Sequence, residues 1–526
     1  MRSEEMVQVD ADTFGIDPKA YERRWLILGS LCLCLVLVVA TVSSLNVAIP
    51  TIARELKPSD TQILWIVDAY AVVFAGLLLF AGAIGDRFGR KGALLAGLVI
   101  FAAANVACSL AKEPTLLIGF RAVMGIGAAL TMPATLSILT SVFPPHERPK
   151  AIAVWAAFAG AGGAIGPVIS GVLLAHFWYG SVFFVAVPLA LIAFVMVALL
   201  APSSREGIGA PLDPIGALLS MVGFSGLLFA IIEGPEEGWG SGLVIGAFAV
   251  AVAALAGFVT WERRNANPML DMKLFANNRF SVSATGVTMT FMAMFSMFFV
   301  LAQYLQYVRG YSALRSGVGG LPFAVGMILV SPRAVAVAGR IGVRRTMIVG
   351  LSLVITGLLA FSFVTRTTPY IVIALCLLVM SAGMGLASPS MTAGIMSAVP
   401  RHKAGVGSAV NDTTRELGGA IGIAIVGSII SGVYRDQIRA SLAGLPAEAA
   451  SQVLKGAGRG VGVVRQLRQT TGDPTAGADV LDGIRRGFLN GSHLGLRIVA
   501  VVVALNIVQV AVRHPKHVEV PIGSGH

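Results

Sequence analysis

Charge is what this sequence has least of. Only 13% of its 526 residues are Asp, Glu, Lys or Arg, where a soluble domain carries about 25%. So little charge cannot cover a water-facing surface, which excludes a soluble globular fold. Cysteine is scarce as well: Cys32, Cys34, Cys108 and Cys376 all lie in apolar runs, with no spacing for a zinc site or a disulfide framework. The histidines (His146, His176, His402, His493, His514, His517, His526) fall in loops, tails or helix ends. No set of nucleophiles, imidazoles or metal ligands converges at one depth, which argues against a membrane-embedded enzyme and implies no metal and no cofactor. No phosphate-cradling GxxxxGK[ST] loop is present, which disfavours drive by ATP. Nor is a cleavable signal peptide expected. The first 24 residues are polar, and the apolar run at 25–49 is too long for a signal core.

What the chain has in abundance is long apolar stretches. A bilayer core takes about 20 apolar residues per helix. Fourteen such stretches are expected near 25–49, 63–84, 93–111, 115–143, 151–175, 181–201, 214–232, 242–261, 280–306, 317–337, 346–365, 370–399, 408–433 and 493–512. The fold class is therefore an all-α polytopic membrane protein. An even number puts both termini on one side. With the N-terminus inside, the inner segments hold about 21 Lys and Arg against about six in the short outer loops, which orients the chain with both termini cytoplasmic. The net charge of +12 is then mostly a topology signal, a nucleic-acid partner is not expected, and anionic lipids are the natural neighbours of the basic loops. The last outer loop, 434–492, is long; its Ala-rich stretch at 445–455 suits a short helix, with a lid or partner role open.

The chain nearly repeats itself. "GGAIG" occurs at 162–166 and 418–422, "MGIGAALTMPATL" at 124–136 is echoed by "MSAGMGLASPSMT" at 380–392, and "GDRFGRK" at 85–91 has a weaker echo in "AGRIGVRR" at 338–345. Three echoes in one order imply two homologous six-helix halves, 25–201 and 280–512, flanked by tails at 1–24 and 513–526 and joined by 202–279 with two extra helices. Parallel repeats of this kind are a recurrent transporter design, with the substrate site at the repeat interface.

These motifs resemble the major facilitator superfamily, and within it the fourteen-helix drug–proton antiporter group. The likeness rests on "GAIGDRFGRKGAL" (82–94), "GFRAVMGIGAA" (119–129), "GGAIGPVISG" (162–171), "LWIVDAY" (64–70), "PMLDMKLF" (268–275) and "NDTTRELGG" (411–419). It implies a major facilitator fold in the cell inner membrane, monomeric, exporting lipophilic or cationic drugs in exchange for protons. Quaternary-ammonium and methyl-viologen exporters of this group carry carboxylates where this chain has Thr41, in the helix that also carries Asn46 of "NVAIP", and Met327. The pocket thus reads as less acidic, which keeps open a second cargo, an endogenous antibiotic, lipid or siderophore.

The residues themselves suggest roles. In the loop 85–91, Gly85 and Gly89 permit a tight turn. Asp86 can cap the following helix, pair with Arg90 or hold a helix end of its own half, with Arg87 adding charge, so the loop is a candidate gate. Arg121 sits well inside a helix, which costs roughly 3 kcal/mol on insertion scales; the resemblance ties it to proton coupling, and the alternative is an arginine hydrogen-bonded to carbonyls to fix packing. Gly162, Gly166 and Ser170 share one helix face and Pro167 kinks that helix, so this stretch is expected to form a deformable contact between the halves. Asp412 and Glu416 share a face with Arg415 beside them. They are the leading proton-site candidates, with Asp68 third, and the alternative is a closed ion-pair network that stiffens the second half. Met289, Met292, Phe295, Phe299, Gln303 and Tyr307 offer an adaptable, cation-attracting wall; lipid-facing packing is the alternative.

Overall fold

The computed structural model describes residues 16–203, 212–442 and 445–515, apart from the side chains of Asn46, Pro50, Asp60, Glu236 and Ala313. The candidate role of Asn46, and most of both tails, lie outside the described residues. Among the described residues, fourteen helices are long and apolar enough to cross a membrane, and there is no strand. They are α1 (Arg24–Leu56), α2 (Asp60–Phe88), α3 (Arg90–Leu110), α4 (Pro114–Val142), α5 (Arg148–His176), α6 (Ser181–Leu200), α7 (Pro214–Glu237), α8 (Gly242–Arg264), α9 (Asn278–Gln303), α10 (Leu314–Ile341), α11 (Val343–Phe361), α12 (Tyr370–Ala398), α13 (Ala404–Ile438) and α14 (Ala478–Arg513). The chain is a multi-pass membrane protein. Hereafter the face where α1 begins and α14 ends is the terminal side, and its opposite the far side.

Local chemistry sets the helix ends. Ser59 and Gln62 form a reciprocal capping box at the start of α2. Ser241 caps α8 and Asn277 caps α9 through side-chain oxygens. Gly89 (φ 108°) ends α2 and Gly342 (φ 87°) ends α10; both turns need a residue that tolerates positive φ, and they occupy matching places in the two repeats. Pro133 and Pro389 likewise both lie inside helices, α4 and α12.

Apolar side chains gather in two cores, one drawn almost wholly from α1–α6 and one from α9–α14. α7 packs against α8 and against both α2 and α13. Ser225 of α7 donates to the Val72 carbonyl of α2 at 3.1 Å, Phe229 stacks on Trp65, and Trp239 beyond α7 donates to Ser428 of α13 at 2.9 Å. The extra pair thus lies across the α2–α13 seam between the halves.

One segment differs from the sequence reading. The outer loop expected at 434–492 is mostly helical: α13 runs on to Ile438, short helices span Ala447–Leu454 and Ala457–Thr471, and α14 begins at Ala478, not near 493. The short helices rest on the second half. Tyr434 donates to the Val453 carbonyl at 2.8 Å, and Val453 and Val464 are buried.

Candidate functional site

Three groups of charged residues lie on the seam helices. On the terminal side, Asp86 at the end of α2 accepts from the backbone N–H of Gly405 (2.8 Å) and Val406 (3.0 Å), the first turn of α13. Arg90 pairs with Asp86 at 3.1 Å and donates to the Arg401 carbonyl at 2.5 Å. The unpaired N–H groups of a helix start favour an anion, so this carboxylate is held by backbone as much as by charge. The helix it holds belongs to the other half, whereas the sequence reading placed the partner in Asp86's own half or in the following helix. The halves touch closely beside it: a Cβ added to Gly82 would lie 2.6 Å from the Gly405 carbonyl oxygen. Arg87 points away, exposed, over Phe88.

In the first half, Arg121 of α4 is fully buried. It donates to the Val67 carbonyl at 3.1 Å and lies 5.3 Å from the Tyr70 ring, with Asp68 in electrostatic reach. In the second half, Asp412 and Arg415 are buried and Glu416 half-buried. Arg415 approaches Asp412 at 3.8 Å, too long for a hydrogen bond. Asn411, itself held by Thr392 of α12 at 3.0 Å, donates to Asp412 at 3.3 Å. The other Asp412 oxygen and the Nε and Nη2 of Arg415 have no protein hydrogen-bond partner. A closed network would satisfy these atoms, because buried polar groups are costly when orphaned. Glu416 lies within electrostatic range of both Arg415 and Tyr70, so the two buried groups face each other across the α2–α13 seam. Arg333 stays outside them, exposed and donating to the Leu329 carbonyl.

The glycine stretch on α5 has two faces, and the face of Gly162 and Gly166, expected from the sequence to meet the other half, packs within its own half, whereas Pro167 does meet the other half. A Cβ on Gly162 would meet Val36 and Val39 at 3.2–3.3 Å, and one on Gly166 would lie 2.3 Å from the Ala40 carbonyl oxygen. Both face α1, within the same half, because glycines at this spacing admit the nearest neighbour helix. The contact with the other half is made by Gly160 against Met327, Pro167 against Gly317 and Gly171 against Leu314, and by Ser331 of α10, which donates to the Ala153 carbonyl at 2.7 Å. The second copy behaves alike: Gly418 and Gly422 press on the Thr288 and Met292 carbonyls of α9. We expect Gly166→Ala to lower the melting temperature of the purified protein by several degrees. Gly163→Ala, with nothing within 4 Å of the new Cβ, should leave it unchanged or raise it slightly through better helix propensity. Equal melting for the two variants would refute the assignment of faces.

The α9 residues do not form one open wall. Met292 is turned into the second core, Phe295 and Phe299 pack on Gly419 and Gly427 of α13, Met289 packs beside them, and Gln303 donates to the Phe299 carbonyl at 3.3 Å. Tyr307 lies under the 457–471 helix, near Gly458 and Phe488. Thr41 is buried with its hydroxyl on the Leu37 carbonyl at 2.8 Å, and Met327 is buried against Gly160. Neither lines the arginine-rich cavity described below.

A cavity of about 360 Å³ opens on the terminal side between the halves. Its lining includes Arg90, Arg148, Arg279 and Arg401 and no carboxylate. No sequence pattern brought these arginines together, since they come from four separate segments.

The sequence profile described as Major Facilitator Superfamily matches residues 31–423. The chain belongs to the major facilitator superfamily. It is 34% identical to the multidrug efflux pump LfrA of Mycolicibacterium smegmatis, over 89% of this chain and 92% of that protein. It is 33% identical to the methyl viologen resistance protein SmvA of Salmonella typhimurium, over 89% and 93%. A methylenomycin A resistance protein of Streptomyces coelicolor is 34% identical over 74% and 82%. Among solved structures, the human organic anion transporter MFSD10 superposes with a TM-score of 0.58 at 13% identity, covering 93% of this chain and 99% of that one. That likeness speaks for the fold alone: two six-helix halves, here with the extra pair α7 and α8 across one seam.

Proposed function

We propose that this major facilitator protein is a proton-coupled antiporter that exports lipophilic or cationic drugs or antibiotics across the cytoplasmic membrane by alternating access. Its terminal side, with the arginine-lined cavity, faces the cytoplasm, in keeping with the excess of Lys and Arg in the terminal-side loops. Names carried by its relatives, multidrug efflux pump and methyl viologen resistance protein, support the cargo class.

The observation that carries the coupling is the group formed by Asp412, Arg415 and Glu416. Two carboxyl groups face one guanidinium at the seam, and an oxygen of Asp412 has no protein partner. Such a site accommodates a proton in one step of the cycle and releases it in another. Ionisable groups at membrane depth are costly, and proton relays are among the functions that retain them. The Asp86–α13 contact holds the α2–α13 seam closed on the terminal side, and its release lets the halves part there.

Proteoliposomes holding an internal pH dye test this reading. Under an imposed pH gradient, adding a lipophilic monocation such as tetraphenylphosphonium should trigger proton movement that empty liposomes lack. Silence across a panel of monocations, dications and neutral antibiotics, with folded protein verified, would overturn it.

A further inference from the structure

Arg415 has a setting that an ion pair with Asp412 does not explain. Its guanidinium carbon lies 4.6 Å from the Trp155 ring centre and 4.8 Å from that of Phe291. Trp155 belongs to α5 in the first half, Phe291 to α9 in the second. The indole is fully buried, and its N–H donates to Thr135 of α4 at 3.2 Å, which fixes the ring plane. Two aromatic faces at these distances are the arrangement that recognises a delocalised or alkylated cation without demanding hydrogen bonds. The guanidinium uses them in that way: it is buried, its Nε and Nη2 lack protein partners, and its nearest carboxylate is 3.8 Å away. An arginine placed to form a forked ion pair would show short, paired contacts instead. The group also holds two carboxyl groups against this single guanidinium, which leaves charge for one more cation.

We propose that Trp155 and Phe291 form the aromatic subsite for a lipophilic monocation, and that Arg415 fills it as a tethered stand-in until cargo displaces the guanidinium towards Asp412 and Glu416. The inference rests on the cationic-cargo reading above and goes further by naming the subsite and its occupant. Because the cage is shared between the halves, exchanging arginine for cargo changes a contact that must break when they rock apart.

Binding of radiolabelled tetraphenylphosphonium to the full-length protein in nanodiscs tests it. Arg415→Gln should bind at least about fivefold more tightly than wild type, since the competing cation is gone. Trp155→Ala should lose affinity about tenfold, while Trp155→Phe, which keeps an aromatic face, should stay within about threefold of wild type. Unchanged or weaker binding by folded Arg415→Gln would overturn the proposal, as would full affinity in Trp155→Ala. If Arg415→Gln does not fold, photolabelling of wild type with an azidophenyl phosphonium decides. Crosslinks at Trp155 or Phe291 support the cage, and crosslinks confined to other sites refute it. Export that persists without these affinity changes would sink the cage alone, and absent proton movement with the changes intact would sink the antiport reading alone.

Discussion

Asp412→Asn abolishes proton-driven export. The expected loss is about 100-fold or more, the scale seen when an essential proton-transferring group is removed, and it brings the signal down to that of empty liposomes. Asparagine keeps the shape and the oxygen that accepts from Asn411, so expression and elution on size-exclusion chromatography should match wild type. The site loses only the capacity to exchange a proton. Glu416 remains beside Arg415 and can hold its charge, which limits the cost of removing one partner of a buried pair. The check is dye-reported proton flux together with cargo efflux. Normal export by this variant would remove Asp412 from the coupling mechanism and leave Glu416 to carry it.

Asp86→Asn opens the terminal side. The carboxylate accepts from two N–H groups of α13 and from Arg90, and hydrogen bonds to a charged group contribute about 1.5–3 kcal/mol each. Asparagine has one acceptor oxygen and no charge, so we expect about 3 kcal/mol of the closed state's advantage to be lost, roughly 100-fold in the closed-to-open ratio. A cysteine introduced by Ala409→Cys reports it, because Ala409 is buried where Gly82 presses on α13 and the native cysteines are all buried. Maleimide should label it at least about tenfold faster in the Asp86→Asn background, and unchanged labelling would refute the latch. The two variants report on one rod: Gly405 and Asp412 lie seven residues apart on α13, about 10 Å along an unbroken helix.

The number of spanning helices and the two-half plan are legible in the sequence because hydropathy and repeated motifs are local properties of the chain. The start of α14 is not, since its first turns, "ADVLDGIRRGFLNG" at 478–491, are too polar to register as apolar and extend the helix beyond the bilayer slab. The charged triplet on α13 is legible because its members are close in sequence. The aromatic partners of Arg415 are not: Trp155 and Phe291 lie on distant helices, and nothing in "AVWAA" or "MTFMA" marks them for one guanidinium. The facing of the α5 glycines fails for the same reason. Periodicity says which residues share a stripe, but only the packed bundle says which neighbour that stripe meets.

The position of α7 and α8 gives the molecule a handed perimeter. Around the axis the halves are near-copies, but towards the lipid they are not. On one flank a second layer of helices, tied by Ser225, Phe229 and Trp239, screens the α2–α13 crevice from the acyl chains. On the opposite flank Phe158 and Ile165 of α5 and Val325 and Ile328 of α10 stand directly exposed. Approached sideways through the lipid, the molecule therefore offers one shuttered seam and one bare one.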